Sequence, residues 1–437
     1  MSRILSCIAV ALALVSGANA EDWPTWRGPK LDGHSSEKNL PIKWTAKDNI
    51  AWTAPIPGVG HSSPVVSKDR VFVTSCLPKE ESRVLICLDR ADGKLLWQKE
   101  VVKAPLEPKH GLNSYSSGTP ASDGTHVWVA FQRLRPKTGT DDYPRKPRET
   151  VPLKSKDGDL VSEMLIACYD FDGQLVWSKS PGQFYSRHGF STSPILYKDT
   201  VILNGDQDAE AYIVALDKKT GAERWRIERP NRFRSYCAPL IVEAGGKTQL
   251  VVTGAKTVMG YDPEDGKKLW SIEGPTEQFV ASPVYNGDLL FITAGFPTYH
   301  NMAIRPDGAG DVTKTHIAWH ESKTIARKAS YVPSPIAAGS WFYVISDDGY
   351  LNCLDAKSGE RLWIERLGQH HSGSPVYADG NIYLTSDDGV TYVLKAGSKF
   401  EVIAENPLGD KCYSSPAVSN GQIFLRGNRA IYCIGKK

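Results

Sequence analysis

Three small clusters carry side chains of the kinds that bind metals or run acid–base chemistry. Asp206, Asp208 and Glu210 alternate with Gln207 and Ala209, so oxygen donors recur at a spacing that suits Ca²⁺. The run lacks the full length and the glycine of an EF-hand loop, and a solvated acidic loop is the competing reading. His370 and His371 are adjacent and could share a metal with His61 or His188, although no full ligand set is visible. His188 lies between Ser186 and Ser191. With no Gly-x-Ser-x-Gly elbow and no evident orienting carboxylate, no nucleophile is assigned there. None of these clusters specifies a reaction alone; what they can do depends on the elements that hold them.

The 437 residues carry a net charge of +3 and no Lys/Arg block, which argues against nucleic acid as a partner. Gly 38, Pro 28 and Trp 12 suit an all-β chain with many turns. Residues 1–20 read as a signal peptide: a basic start at Arg3, an apolar run from Ile4 to Val15, and small residues at Ala18-Asn19-Ala20. The run is too short to span a bilayer, and no later run is long enough for a transmembrane segment. Cys7 precedes the end of that run, which speaks against a lipid anchor. A periplasmic or secreted monomer is expected. Without Cys7, seven of the eight cysteines remain, an odd number that argues against a disulfide framework. A Cys76–Cys87 hairpin bridge stays open.

The organising signal is a repeat. A small residue followed by Pro opens a short apolar strand at Ser63-Pro64, Thr119-Pro120, Ser193-Pro194, Ala238-Pro239, Ser282-Pro283, Ser334-Pro335, Ser374-Pro375 and Ser415-Pro416. The prolines are 56, 74, 45, 44, 52, 40 and 41 residues apart, a period that signals a propeller. Each copy continues with an alternating strand such as Val71–Thr74, a third strand ending in Leu-Asp, and a Gly turn before a fourth strand. Trp97, Trp177, Trp225, Trp270, Trp319 and Trp363 mark that fourth strand in six copies. The last copy stops after its third strand, and 49–53, around Trp52, supplies the missing one. The expectation is an eight-bladed β-propeller of four-stranded antiparallel blades over 21–437, with a ring that leaves no free edge.

Leu-Asp-x-x-x-Gly-x-x-x-Trp at 88–97, 216–225, 261–270 and 354–363 (with Tyr for Leu at 261) resembles the tryptophan-docking repeat of the PQQ-binding-like (quinoprotein) propeller family. Trp23-Pro24-Thr25-Trp26-Arg27-Gly28-Pro29 and Tyr432-Cys433-Ile434-Gly435 are similar to secreted members. The repeat plan is also BamB-like, that of a cofactor-free propeller lipoprotein of outer-membrane barrel assembly. The quinoprotein dehydrogenases of the family would imply PQQ, Ca²⁺ and an adjacent cysteine pair beside the cofactor. This chain has no adjacent Cys pair and no Cys-x-x-Cys-His haem site. The Asp of the repeat reads as a turn cap. The residue before Leu/Tyr-Asp is a small slot (Cys87, Cys168, Ala215, Gly260, Cys353, Cys433), read as a place where blades pack closely.

In an A-B-C-D meander the D-to-A and B-to-C loops share one face. The length variation falls there, including an insertion loop at 133–163 in the second blade. Just before the Ser-Pro phrases stand His61, Asn113, Tyr115, Arg187, His188, Arg234, Tyr236, Gln278, Lys328, Tyr331, His370, His371, Lys411 and Tyr413. They should ring the mouth of the central channel, with Arg187, Arg234, Lys328 and Lys411 making it positive. The expected function is a non-catalytic binding scaffold, without a cofactor, that recognises a protein, glycan or small anionic ligand on this face. The alternative is a PQQ-dependent oxidoreductase of alcohol or sugar dehydrogenase type, carrying PQQ with Ca²⁺.

Overall fold

The computed structural model describes residues 21–138, 153–155, 158–230, 232–254, 256–322 and 328–436. The proposed signal peptide and the centre of the 133–163 insertion lie outside these residues. The ends of that insertion are strand: His126–Pro136 and Gly158–Asp170 form one long hairpin in which Arg133 faces Glu163. Among the described residues there is no α-helix, and no helix is long and apolar enough to cross a membrane.

Eight four-stranded antiparallel blades make an all-β propeller. The first seven span 65–103, 121–183, 195–228, 240–273, 284–321, 336–366 and 376–407. The eighth joins Ala417–Ser419, Gln422–Arg426 and Ala430–Ile434 to the N-terminal strand Ile50–Pro55, with Trp52 opposite Cys433. The ring is thus closed by both ends of the chain.

Every part of the repeated motif has a physical role at a blade junction. The Asp side chain accepts the backbone N–H two residues on, as Asp89 does from Ala91 and Asp355 from Lys357. The carbonyl after that Asp accepts an indole N–H from the preceding blade. Trp52, Trp97, Trp177, Trp225 and Trp319 donate in this way to Arg90, Phe171, Lys218, Pro263 and Ala356 at 2.8–3.1 Å. The Gly of the turn lies under the same indole. At Gly93, Gly173, Gly221, Gly266 and Gly359, φ is +69 to +77°, and a Cβ would meet the docked ring at 2.5–3.0 Å. Glycine is required there twice, for conformation and for space. The small slot lies in the same blade, opposite its own Trp: Cys87 faces Trp97 and Cys353 faces Trp363. It makes room for that Trp within the blade and also meets the next blade, as expected: Cys353 Sγ donates to Gly397 O of the seventh blade at 3.7 Å, and Cys87 shares an apolar cluster with Val127 and Val129 of the second.

Three blades depart from this scheme. In the sixth, the Trp363 indole N–H has no hydrogen-bond partner among the described residues, and the ring packs edge-on against Phe400 at 5.3 Å. Trp270 donates to Gln249 Oε1 at 2.5 Å, and Gln249 Nε2 donates to the docking carbonyl, Pro306 O, at 2.7 Å. The expanded turn of the fifth blade sends Gly310–Asp311 to pair with Trp270 and Ser271 as an added strand. In the seventh blade Ala404 occupies the Trp position, opposite Val393. The N-terminal segment lies against that strand, with Trp44 N–H donating to Asn406 Oδ1 and Asn406 Nδ2 to Ile42 O. Leu40, Ile42 and Trp44 join the apolar cluster that also takes in Ala404.

The Ser-Pro phrase builds the inner ring. The N–H of the residue before each Pro donates to the hydroxyl of its counterpart in the next blade, from Ser63 to Thr119, then Ser193, and from Ala238 through Ser282, Ser334, Ser374 and Ser415 back to Ser63, at 2.9–3.0 Å. The one missing link is at Ala238, which has no hydroxyl to accept from Ser193.

The N-terminal segment plugs the channel inside this ring. Trp23 exchanges backbone bonds with Val66 of the first blade, and Pro24 O accepts from Ser122 of the second. His34–Ser35 pair in parallel with Tyr377–Ala378 of the seventh. Arg27, 1% exposed, donates to Asp32 O and to Pro335 O of the sixth at 2.6 and 2.7 Å.

Candidate functional site

The plug and the D-to-A loops enclose a cup at the channel mouth. Its volume is ≈ 290 Å³, and its wall includes His61, His110, Asn113, His188, Tyr236, Tyr331, His370 and Tyr413. Trp26 of the plug is also in the lining. Hydroxyls of the inner ring (Ser63, Thr119, Ser193, Ser374 and Ser415) face the same space.

Of the fourteen sequence candidates for this mouth, seven line the cup: His61, Asn113, His188, Tyr236, Tyr331, His370 and Tyr413. The others do not. Arg234 pairs with Asp208 at 2.6 Å, and Lys328 pairs with Asp348 while covering the Tyr350 ring at 3.9 Å. Arg187 and Lys411 are exposed outside the cup. Tyr115 lies under Lys109 Nζ at 5.1 Å. Gln278 is buried and holds the Tyr331 hydroxyl. His371 is fully buried between Thr385 O and Leu367 O at 3.2 and 2.7 Å. The expected cationic funnel is therefore corrected: among the described residues, the wall contains no lysine or arginine. Acidic neighbours on the B-to-C loops take up Arg234 and Lys328, a contact between loops that spacing along the chain does not show.

The cup's histidines differ. Burial, reinforced by the positive field of Arg426, pushes His61 down to about 4, and its ring packs on Tyr413 at 4.6 Å. His370 is pushed up, because its Nδ1 shares a 2.6 Å hydrogen bond with Asp387 Oδ2. Asp387 also accepts from Ser372 N–H and Oγ at 2.7 and 2.9 Å, so it positions a rim histidine and does not form a nucleophile–base pair. Ser186 Oγ likewise bonds the Tyr236 hydroxyl at 2.9 Å, not a histidine ring.

The proposed calcium run is corrected too. Asp206 is fully buried against Arg229, at 2.9 Å, and Asp208 binds Arg234, while Glu210 points outward into solvent. Among the described residues no three His, Cys, Asp or Glu side chains gather as a metal set. Cys76 faces Arg83 and Cys87 faces Phe72 across their hairpin, so the Cys76–Cys87 bridge is absent and the seven described cysteines are free.

Sequence reasoning missed Trp26, His110 and Asp347. Asp347 had a signal: Ser-Asp-Asp-Gly recurs at 346–349 and 386–389, and its first Asp caps a D-to-A loop each time, through Val332 N–H and Ser372 N–H.

A family model described as outer membrane protein assembly factor BamB matches 35–163, 123–365, 308–399 and 347–434. The chain belongs to this PQQ-like propeller family. BamB of Nitrosomonas eutropha is 22% identical over 54% of this chain and 64% of its own length. BamB of Burkholderia pseudomallei is 28% identical over 24% and 26%. The matched stretch is thus under two thirds of these relatives' lengths. BamB of Moraxella catarrhalis superposes with a TM-score of 0.55 at 13% identity over 88% of this chain and 94% of that one. A europium-containing methanol dehydrogenase does so at 0.62 and 12%, over 94% and 90%. At such identities the structural likeness shows the fold alone.

PQQ, the cofactor that the resemblance to quinoprotein dehydrogenases would imply, does not fit this cup. PQQ is a planar tricarboxylate and needs cationic partners. The described wall offers none from Lys or Arg and adds a carboxylate, Asp347. The thiols beneath the mouth, Cys237 and Cys412, are separate, buried and bonded to Ala281 O and Arg426 O.

Proposed function

We propose that this chain is an exported, non-catalytic propeller that recognises a ligand or partner through the cup on its D-to-A loop face. The observation that carries the reading is the cup itself. It is built by residues from the inner ends of the blades and floored by the N-terminal plug, and the carboxylate that holds its rim His370, Asp387, is itself tied to Ser372 N–H and Oγ. The family match and the BamB relatives support a scaffold role at the outer membrane, and the reading of residues 1–20 supports export. The second reading, a PQQ-dependent oxidoreductase, rests on the shared fold with methanol dehydrogenase and meets a wall that does not suit the cofactor.

The test is site-specific photo-crosslinking in cells. A crosslinker replaces Leu112, on the cup rim and 58% exposed, or Leu175, on an outer strand and 56% exposed. One adduct recovered from position 112 and not from 175 supports the reading. Identical adducts, or none, at both positions overturn it.

A further inference from the structure

We infer that the cup takes a neutral mono- or disaccharide unit. This deepens the reading of the cup as the recognition site and rests on it.

The chemistry of the cup is divided. Ser374, Ser415, Ser63, Thr119 and Ser193 come from five consecutive blades, the seventh, eighth, first, second and third, and form one arc of its lining. Each oxygen already accepts one backbone N–H from the preceding blade. That bond fixes its position and leaves its own O–H to donate into the cup. A hydroxyl oxygen also has a second lone pair. The arc is therefore a fixed row of groups that can both give and accept hydrogen bonds. The loops before the fourth, fifth and sixth blades bring Tyr236, Val280 and Tyr331, an aromatic and apolar arc. The Trp26 indole adds a further aromatic surface.

A sugar has the complementary division. Its ring edges carry hydroxyls that donate and accept, and its C–H faces are apolar and stack on aromatic rings. An anion would use the donors but would face Asp347. A cation would use Asp347 and the aromatics but would offer the row of O–H donors no acceptor, so their desolvation on binding would go uncompensated. Asp347 is held by the backbone N–H groups of Val332, at 2.9 Å, and Tyr331, and a carboxylate has about four lone-pair sites, so it can still accept a sugar hydroxyl proton. His61, held neutral by burial, offers one donor and one acceptor. The volume of ≈ 290 Å³ lies at the small end of ligand pockets, about 300–1,000 Å³, which limits the ligand to one or two sugar rings or the end of a chain.

Isothermal titration of the purified full chain with glucose, galactose, N-acetylglucosamine, maltose, cellobiose and lactose, up to about 10 mM each, tests this. One of them should bind one-to-one. Asp347→Asn keeps an acceptor for Val332 N–H, and Tyr413→Ala removes a rim ring. Each should weaken that binding about tenfold or more with the melting temperature unchanged, the first through a lost hydrogen bond to a charged group and the second through a lost aromatic surface. Binding that both variants leave intact would overturn the assignment. So would heat from choline or phosphate with none from any saccharide, or no heat from any compound. If the rim crosslink at position 112 persists in these cases, recognition at the cup survives and only the ligand class fails.

Discussion

His61 and His370 face the same cup yet titrate in opposite directions, because one lies beside Arg426 in a buried setting and the other shares a proton with Asp387. His300 follows His61: burial, then its neighbour His320, push it down to about 4. Where the folded value lies below the unfolded one, the unfolded chain binds more protons in between, so stability rises with pH across that interval. The two depressed histidines should therefore contribute stability that is full above about 6.5 and lost as pH falls towards about 4. Chemical denaturation between these limits, with histidine resonances followed by NMR, checks this; midpoints near 6.5 for both rings would contradict it. The thiols make a second residue-scale case. Burial pushes Cys87, Cys168, Cys353 and Cys433 up to about 12. The native protein should resist alkylation at neutral pH, and unfolding should expose the described thiols together.

Blade junctions carry the energetics at the scale of elements. Gln249→Ala would orphan both Trp270 Nε1–H and Pro306 O, and should cost about 2–4 kcal/mol in urea unfolding, from two buried groups left unpaired. Ala238→Ser should do the reverse. It supplies the acceptor that Ser193 N–H lacks, completes the inner ring, and should add about 0.5–1.5 kcal/mol. An unchanged midpoint in either variant would contradict the junction account. Much of this layer was legible in the sequence, because the motif repeats and repetition separates architecture from accident. The Ser-Pro phrase, the capping Asp and the docking Trp all recur at fixed places within their copies. The departures were not legible. Gln249 and Trp44 replace repeat functions from positions that do not repeat. The cationic mouth failed for a similar reason: Asp208 and Asp348, which take Arg234 and Lys328, stand on other loops and become neighbours only when the ring closes.

For the whole molecule, the N-terminal segment is what turns an eight-bladed ring into a cup. It pairs with the inner edges of the first and seventh blades, brings Trp26 to the cup, and continues into the strand that completes the eighth. Removing 21–36 while keeping Ile50–Pro55 should leave a closed ring with an open channel. Its melting temperature should fall by several degrees and dye-accessible apolar surface should appear, since Trp23 and Leu31 are 0 and 8% exposed in the intact chain. An unchanged melting temperature would mean that the plug contributes nothing to the fold.

The central claim is that this member of a quinoprotein-like family uses its cup for recognition and not for quinone chemistry. Titration of the full chain with PQQ, with and without Ca²⁺, tests it most directly, with tryptophan fluorescence and melting temperature as readouts. The account expects no saturable binding and no rise in melting temperature at tens of micromolar PQQ, because the described wall supplies no Lys or Arg for its carboxylates. Saturable one-to-one binding that raises the melting temperature would contradict the account and make the protein a quinoprotein.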